Sequence, residues 1–343
     1  MLAANFVQQG TCRRLGLCTR LFSSTLRNKH ENPLGLPRRP GPVPQIPRKG
    51  GPIQKRPIPH VNKVLAVASG KGGVGKSTVA VNLAFSLAML KPKSLGRRMR
   101  VGILDLDIFG PSVPMLMGLQ HTDEPPLTPG GAILPVINHG LPTMSMGYLL
   151  PKSESGSRED AAVVWRGLTV QKAVQQLLFD VDWRDAGNGP GLDVLVVDLP
   201  PGTGDVQLTL GQLVVVDGAV IVSTPQDVAL ADVRRGISMF RKVSVPITGT
   251  VLNQSYFVCP SCVTPHYVFG SPTAFRATAT SLNVPVLGEL PLVKSVSRGG
   301  DGGVPYMLTA SKEQADEDNA GGAVWRNVMQ EMAENVWQAL EGK

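Results

Sequence analysis

The stretch SGKGGVGKST, Ser69 to Thr78, limits what this chain can fold into more than any other. It follows the apolar run KVLAVAS, which reads as a strand buried on both faces, and it opens a segment from Lys76 to Leu90 that reads as a helix. The residue types give the reason for a glycine-rich turn at this junction. Glycines let the backbone curl until several amide N–H groups point inward. The helix N-terminus adds positive potential, and Lys76 adds a full charge. Gly70, Gly75, Lys76 and Ser77 satisfy G-x-x-x-x-G-K-[ST]. The loop of Gly70, Lys71, Gly72, Gly73, Val74, Gly75, Lys76, Ser77 and Thr78 is therefore expected to hold nucleotide phosphates, with Ser77 on Mg2+. A Gly-x-Gly dinucleotide site is the nearer competitor, but Lys76-Ser77 favours a nucleoside triphosphate such as ATP.

The texture of that first unit repeats. RVGILDLD, LDVLVVDLP, GAVIVSTP, PITGTVLN and VPVLGELP are short apolar runs, each expected to be a strand buried on both faces. Helices are expected between them over Leu168–Phe179 and Val228–Val243, and a last one from about Gly322 to Leu340. Strand and helix alternating in this way predict an α/β, doubly wound, mostly parallel sheet. Gly110 to Glu159 is rich in Pro and Gly, and reads as loops with room for a β-hairpin. SRGGDGGVPY reads as a flexible turn.

Acidic residues stand at strand C-termini, where such sheets bind ligands. DLDIFGPSVP offers Asp105 and Asp107, and VVDLPPGTGD offers Asp198 and Asp205. Asp198 ends an apolar strand, the place for a carboxylate that holds Mg2+ through water. Asp107 is a candidate to position an attacking water. Gly202 and Gly204 would let the second loop change shape. Either aspartate alone reads as a helix cap; both, after a phosphate loop, read as nucleotide machinery.

The formal net charge of +8 suggests nucleic acid until it is located. Met1 to Pro59 holds 11 Lys and Arg against the single acid Glu31, leaving 23 basic and 25 acidic residues beyond it. The remainder is near neutral, which removes the main support for a nucleic-acid partner. The first residues carry Arg13, Arg14, Arg20 and Arg27, hydroxyls at Ser23, Ser24 and Thr25, scattered apolar side chains and no acid. That composition is expected of a mitochondrial transit peptide over residues 1–40, with a Pro/Gly-rich basic linker over 41–60 and one domain over 61–343. The destination would be the matrix. No apolar run is long enough to span a membrane.

Of four cysteines, Cys12 and Cys18 would leave with the presequence. Cys259 and Cys262 remain, in SYFVCPSC. Two are too few for a disulfide framework. Redox work prefers a CxxC at a helix N-terminus, and YFVCPSCVTPHY reads as a loop with two prolines. Metal binding and a structural pair stay open. His266, four residues after Cys262, could join a metal site, but as a loop histidine it reads as a surface group. Trp165 and Arg166 read as packing residues.

Taken in order, GKGGVGKST, DLDIFGPSVP, VVWRGLTVQKAVQQLL, DVLVVDLPPGTGDVQLTL, VIVSTPQDVALADVRRGI and SYFVCPSC resemble the Mrp/ApbC family of P-loop ATPases. The resemblance covers about Lys63 to Leu292. KGGVGKS resembles the deviant Walker A class, whose members dimerise face to face, the early lysine, here Lys71, reaching the partner's nucleotide. The family implies binding and delivery of a [4Fe–4S] cluster under control of ATP binding or slow hydrolysis. The transit-peptide-like start points to a mitochondrial member serving respiratory complex I subunits. Lys71, Lys76 and Ser77 match the nucleotide loop, Asp107 the first switch and Asp198 the second. Cys259 and Cys262 match the cluster ligands, and Asn253 a residue that reads adenine. Relatives commonly have Asn-Met-Ser where this chain has Asn253-Gln254-Ser255. A cubane wants four thiolates and one chain supplies two, so a two-fold homodimer with the cluster on its axis follows from the resemblance. Zn2+ on the same thiolates is the alternative. So is a spatial-organising ATPase of the septum-site type, which would need a basic C-terminal helix; AVWRNVMQEMAENVWQALEGK is not basic.

Overall fold

The computed structural model describes residues 54–149, 167–185, 189–309 and 312–342. The expected transit peptide, the linker up to residue 53, and Trp165 and Arg166 lie outside these residues. The chain runs through β1 (Val61–Ser69), α1 (Lys76–Met89), β2 (Val101–Asp105), α2 (Val113–Leu116), β3 (Val136–Asn138), β4 (Leu141–Ser145) and α3 (Gly167–Phe179). It continues through β5 (Leu192–Asp198), α4 (Asp205–Leu213), β6 (Gly218–Ser223), α5 (Asp227–Lys242), β7 (Ile247–Leu252), β8 (Phe257–Val258) and β9 (Pro265–His266). It closes with α6 (Thr273–Ser281), β10 (Val286–Glu289), α7 (Lys294–Asp301) and α8 (Lys312–Glu341).

Eight strands form one sheet in the order β10-β7-β6-β1-β5-β2-β4-β3, parallel throughout except for the β3–β4 hairpin. That hairpin turns through His139 (φ 51°) and Gly140 (φ 80°), the pair of left-handed residues that a tight two-residue loop needs. Successive side chains of a strand point to opposite faces. Val64, Ala66 and Ala68 of β1 therefore enter one apolar layer, with α3, α4, α5 and α6, while Leu65 and Val67 enter the other, with α1 and α8. The expected doubly wound sheet is what forms.

α8 seats Trp325, Met329, Met332, Ala333, Val336 and Leu340 on the second layer, a stripe at helical spacing. Trp325 meets Tyr306 edge to face at 5.3 Å. Each large aliphatic side chain so buried contributes about 1.5–3 kcal/mol.

Four expectations need correction. β10 is half-buried along its length, not buried on both faces, because it is the sheet's edge strand. α8 begins at Lys312, ten residues before the expected Gly322, since KEQADEDNAG carries no apolar period to announce it. Residues 54–60, expected as linker outside the core, are docked: Ile58 is 1% exposed, and Arg56 pairs through its backbone with Leu213 and Val215. SRGGDGGVPY is not a loose turn. Its first half completes α7, and Gly303 then packs backbone to backbone on Gly118.

That last contact is tight. A Cβ on Gly303 would lie 2.4 Å from the Gly118 Cα, at a φ of +71° that disfavours any side chain. Gly303→Ala should lower stability by about 1–3 kcal/mol in urea unfolding. Gly110→Ala, where a Cβ meets nothing within 4 Å, should stay within about 0.5 kcal/mol.

Candidate nucleotide and metal-binding sites

Three parallel strands end together and set the chemistry. Asp105 of β2 and Val67 of β1 both pair in register with Asp198 of β5, so the loops that follow these strands converge on one crevice. The loop after β1 curls over it, with Gly73 and Gly75 both at φ +77° and Gly75 as the N-cap of α1. Close approach explains a third glycine: a Cβ on Gly70 would lie 2.1 Å from that of Asp232 on α5. Neighbouring loops brace the curl. Gly202 N–H donates to the Ser69 carbonyl at 2.8 Å, and Asn253 Nδ2 donates to the Val74 carbonyl at 2.8 Å.

Lys76 lies buried at the loop's end. Its ammonium donates to Asp198 Oδ1 at 2.5 Å and to Ser77 Oγ at 3.1 Å. Asp198 Oδ2 is buried without a partner among the described residues. Asp105, also fully buried, accepts from Asp107 N–H (2.9 Å), Val113 N–H (3.2 Å) and Ser145 Oγ (3.1 Å). Burial first, and the Asp198 charge second, push the Asp105 carboxyl up to about 7 despite those backbone donors. Burial also raises Asp107 and Asp198. Three buried carboxylates face one buried lysine, with a spare carboxylate oxygen beside Ser77. That donor set is hard, oxygen-rich and short of positive charge, and it fits Mg2+ and phosphate.

The structure brings together Gly70 to Thr78, Asp107, Asp198 and Asn253. Asn253, expected at the adenine, holds the phosphate loop here. Lys71 donates to Gln226 Oε1 of its own chain at 2.6 Å, and Thr224 Oγ1 donates to the same oxygen at 3.0 Å. Asp205 sits in the first turn of α4, where a carboxylate complements the helix dipole. The sequence reading missed two glutamines. Gln226 receives Lys71, and Gln207 Nε2 donates to the Pro200 and Gly202 carbonyls at 2.6 and 3.2 Å, fixing the loop after β5. Nothing in the sequence marks either: Gln207 lies within α4 and Gln226 just before α5.

The cysteine segment, expected as a loop, is a small antiparallel hairpin of β8 and β9. Cys259 N–H donates to the Thr264 carbonyl (3.1 Å) and Val263 N–H to the Cys259 carbonyl (2.9 Å), with Val263 left-handed at φ 57°. Cys259 is half-buried and Cys262 exposed, both as free thiols. Thr264 foremost, with His266 and Cys259, draws the Cys262 thiol down to about 6, where it is largely thiolate at neutral pH. Phe257, Val263, Tyr267, Val268 and Phe269 are exposed around it, Val268 by 65%. The hairpin leaves β7 through Asn253, left-handed Gln254 (φ 53°) and buried Ser255, whose N–H donates to the Leu290 carbonyl at 2.9 Å. Among the described residues no helix is long and apolar enough to cross a membrane.

A parallel sheet with a phosphate-cradling loop after β1 and buried carboxylates ending β2 and β5 defines a P-loop NTPase. A ParA family model, described as NUBPL iron-transfer P-loop NTPase, matches residues 60–329, and the chain belongs to that family. It is 47% identical over 276 residues to the iron–sulfur cluster transfer protein NUBPL of Mus musculus, covering 80% of this chain and 79% of that one. It is 44% identical over 292 residues to an Arabidopsis thaliana iron–sulfur protein required for mitochondrial NADH dehydrogenase, covering 85% and 83%. Among solved structures, a nucleotide-binding protein of Archaeoglobus fulgidus in complex with ADP, with cobalt found, superposes with a TM-score of 0.57 at 32% identity. That match covers 77% of this chain and 91% of the other.

The raised Asp105 carboxyl fixes the sign of a pH effect. Its folded pKa, about 7, lies above the ordinary 3.8, so between these values the native state binds more protons than the unfolded one. Stability of the ligand-free protein should therefore fall as pH rises from about 4 to 7, by ~1.4 kcal/mol per pKa unit at most. Urea unfolding at a series of pH values should show that slope in the native sequence, and Asp105→Asn should flatten it.

Proposed function

We propose that this chain is an ATP-dependent iron–sulfur carrier. Two copies would hold a [4Fe–4S] cluster between them and deliver it to apoproteins of the mitochondrial matrix, iron–sulfur subunits of complex I foremost. One observation carries this reading: a domain built around a nucleotide crevice also presents two free thiols on an exposed hairpin ringed by exposed apolar side chains. Such a surface asks to be covered. A second copy covers it and brings the thiolates to four, the number a cubane needs. The names of the mouse and Arabidopsis relatives, a cluster transfer protein and one required for mitochondrial NADH dehydrogenase, point the same way. The basic first 40 residues serve as the transit peptide in this reading.

The nucleotide site divides its roles by chemistry. The amides from Gly70 to Thr78 and the Lys76 ammonium take the phosphates. Ser77 and, through water, Asp198 hold Mg2+, which neutralises charge on the terminal phosphates. Asp107 positions water for slow hydrolysis. Lys71 exchanges Gln226 for the partner's nucleotide on dimer closure, and Asn253 reads the adenine. Because Asn253 also precedes the cysteine hairpin by a few residues, nucleotide binding and cluster retention share one strand end.

Anaerobic reconstitution with iron and sulfide tests the proposal. The expected product is a dimer with about two irons per chain and a [4Fe–4S] Mössbauer signature, lost in Cys259→Ala/Cys262→Ala. A monomer that takes up no cluster would overturn it.

A further inference from the structure

The β8–β9 hairpin carries a third donor that the shared-cluster reading does not use. Phe257 pairs with His266 and Val258 with Pro265. Side chains alternate along a strand, so Phe257 and Cys259 share a face, and His266 lies on that face one diagonal step from Cys259. The turn then folds Cys262 back over the same side. The two sulfurs and a His266 ring nitrogen all lie within 4.8 Å of one another.

We propose that His266 is a metal ligand, and that Cys259, Cys262 and His266 form a three-donor site with which a single chain holds one zinc-like divalent ion. Two thiolates and an imidazole are a familiar donor set for Zn2+ and Co2+, with metal–ligand lengths of about 2.0–2.3 Å and a tetrahedral arrangement. Those lengths place ligand atoms about 3.7 Å apart around the ion, so the donors need to close by roughly 1 Å. The hairpin has room to do so. Its opposite side, at Val258, Val263 and Pro265, borders a groove of about 540 Å3 shared with Leu287 and Val328. Cys262 and His266 are both exposed, so the fourth position faces solvent and takes water or a donor from another molecule. The site needs no second chain; it uses the same two thiols as the cluster shared by two, so the two are alternative loads of one hairpin. The spacing C-x2-C-x3-H shows only that His266 is near in sequence; the hairpin register is what turns it towards the thiols.

The test uses the full-length protein, reduced and anaerobic, diluted until it is monomeric by light scattering, and titrated with Co2+ or Zn2+. The expected result is one ion per chain, tetrahedral Co2+ absorption with thiolate charge-transfer bands, and imidazole scattering in zinc X-ray absorption. His266→Ala and His266→Gln should lose the imidazole scattering and bind at least tenfold more weakly (~1.4 kcal/mol or more). Their thermal midpoints should match the unsubstituted chain, as expected for an exposed side chain. Unchanged affinity in both variants, zinc bound only by four sulfurs in a dimer, or no ion bound by the monomer would each overturn the proposal. Iron–sulfide reconstitution of His266→Ala separates the two readings: a full cluster there leaves the carrier reading intact whatever becomes of the mononuclear site.

Discussion

The ion pair of Lys76 with Asp198 is the interaction on which the rest of the site depends. It joins the end of the phosphate loop to the end of β5 at 2.5 Å, inside a region that water does not reach. One lysine cannot neutralise three buried carboxylates. The surplus appears as an Asp105 carboxyl with its pKa raised to about 7 and as a buried Asp198 oxygen with no partner among the described residues. Burying charge in this way is costly unless it is paired. The sheet tolerates it because two apolar layers fix β1, β2 and β5 from both faces. A cation and a polyphosphate entering the crevice would supply the missing charge balance, Lys76 turning from Asp198 towards the phosphates. Ligand-free protein thus carries an electrostatic imbalance that a bound cation and polyphosphate would relieve.

The same strand ends reach the cysteine hairpin. Asn253 holds the phosphate loop through the Val74 carbonyl, and fills the space that a Cβ on Gly75 would occupy. The next residue bends through a left-handed backbone, and the one after is locked to Leu290. Phe257 then bridges to Leu292, and the hairpin begins. A shift of the phosphate loop would have a short path to the thiols: one hydrogen bond to Asn253, then six residues of chain to Cys259. The hairpin itself is tied down by few bonds, and it overlies a groove instead of a packed core, so its local opening should cost little, as the proposed carrier role would require.

Much of this was legible in the sequence because buried parallel strands write themselves as continuous apolar runs. KVLAVAS, RVGILDLD and LDVLVVDLP appeared where β1, β2 and β5 formed, and their terminal aspartates marked the crevice. The phosphate loop was legible because its glycines and lysine are chemically constrained. Features fixed by tertiary partners were not. Ile58 joined the core although prolines flank it. Gly303 met Gly118 across almost two hundred residues, and a glycine pair in sequence looks like any loose turn. Gln207 and Gln226 acquired roles only through the backbone and the lysine that face them. His266 read as a surface group, and it is exposed, but hairpin register placed it beside two thiols. The polar start of α8 had no apolar period to show.

The most direct measurement is the rate at which cluster leaves the loaded protein for an apo-acceptor with a [4Fe–4S] site, followed by circular dichroism with and without Mg·ATP. If crevice and hairpin act as one device, the rate changes with Mg·ATP in the native sequence, and Lys76→Ala, loaded equally, shows no such change. An identical rate under every condition in both proteins would contradict the account, leaving a nucleotide site and a thiol site that share a domain without sharing a function.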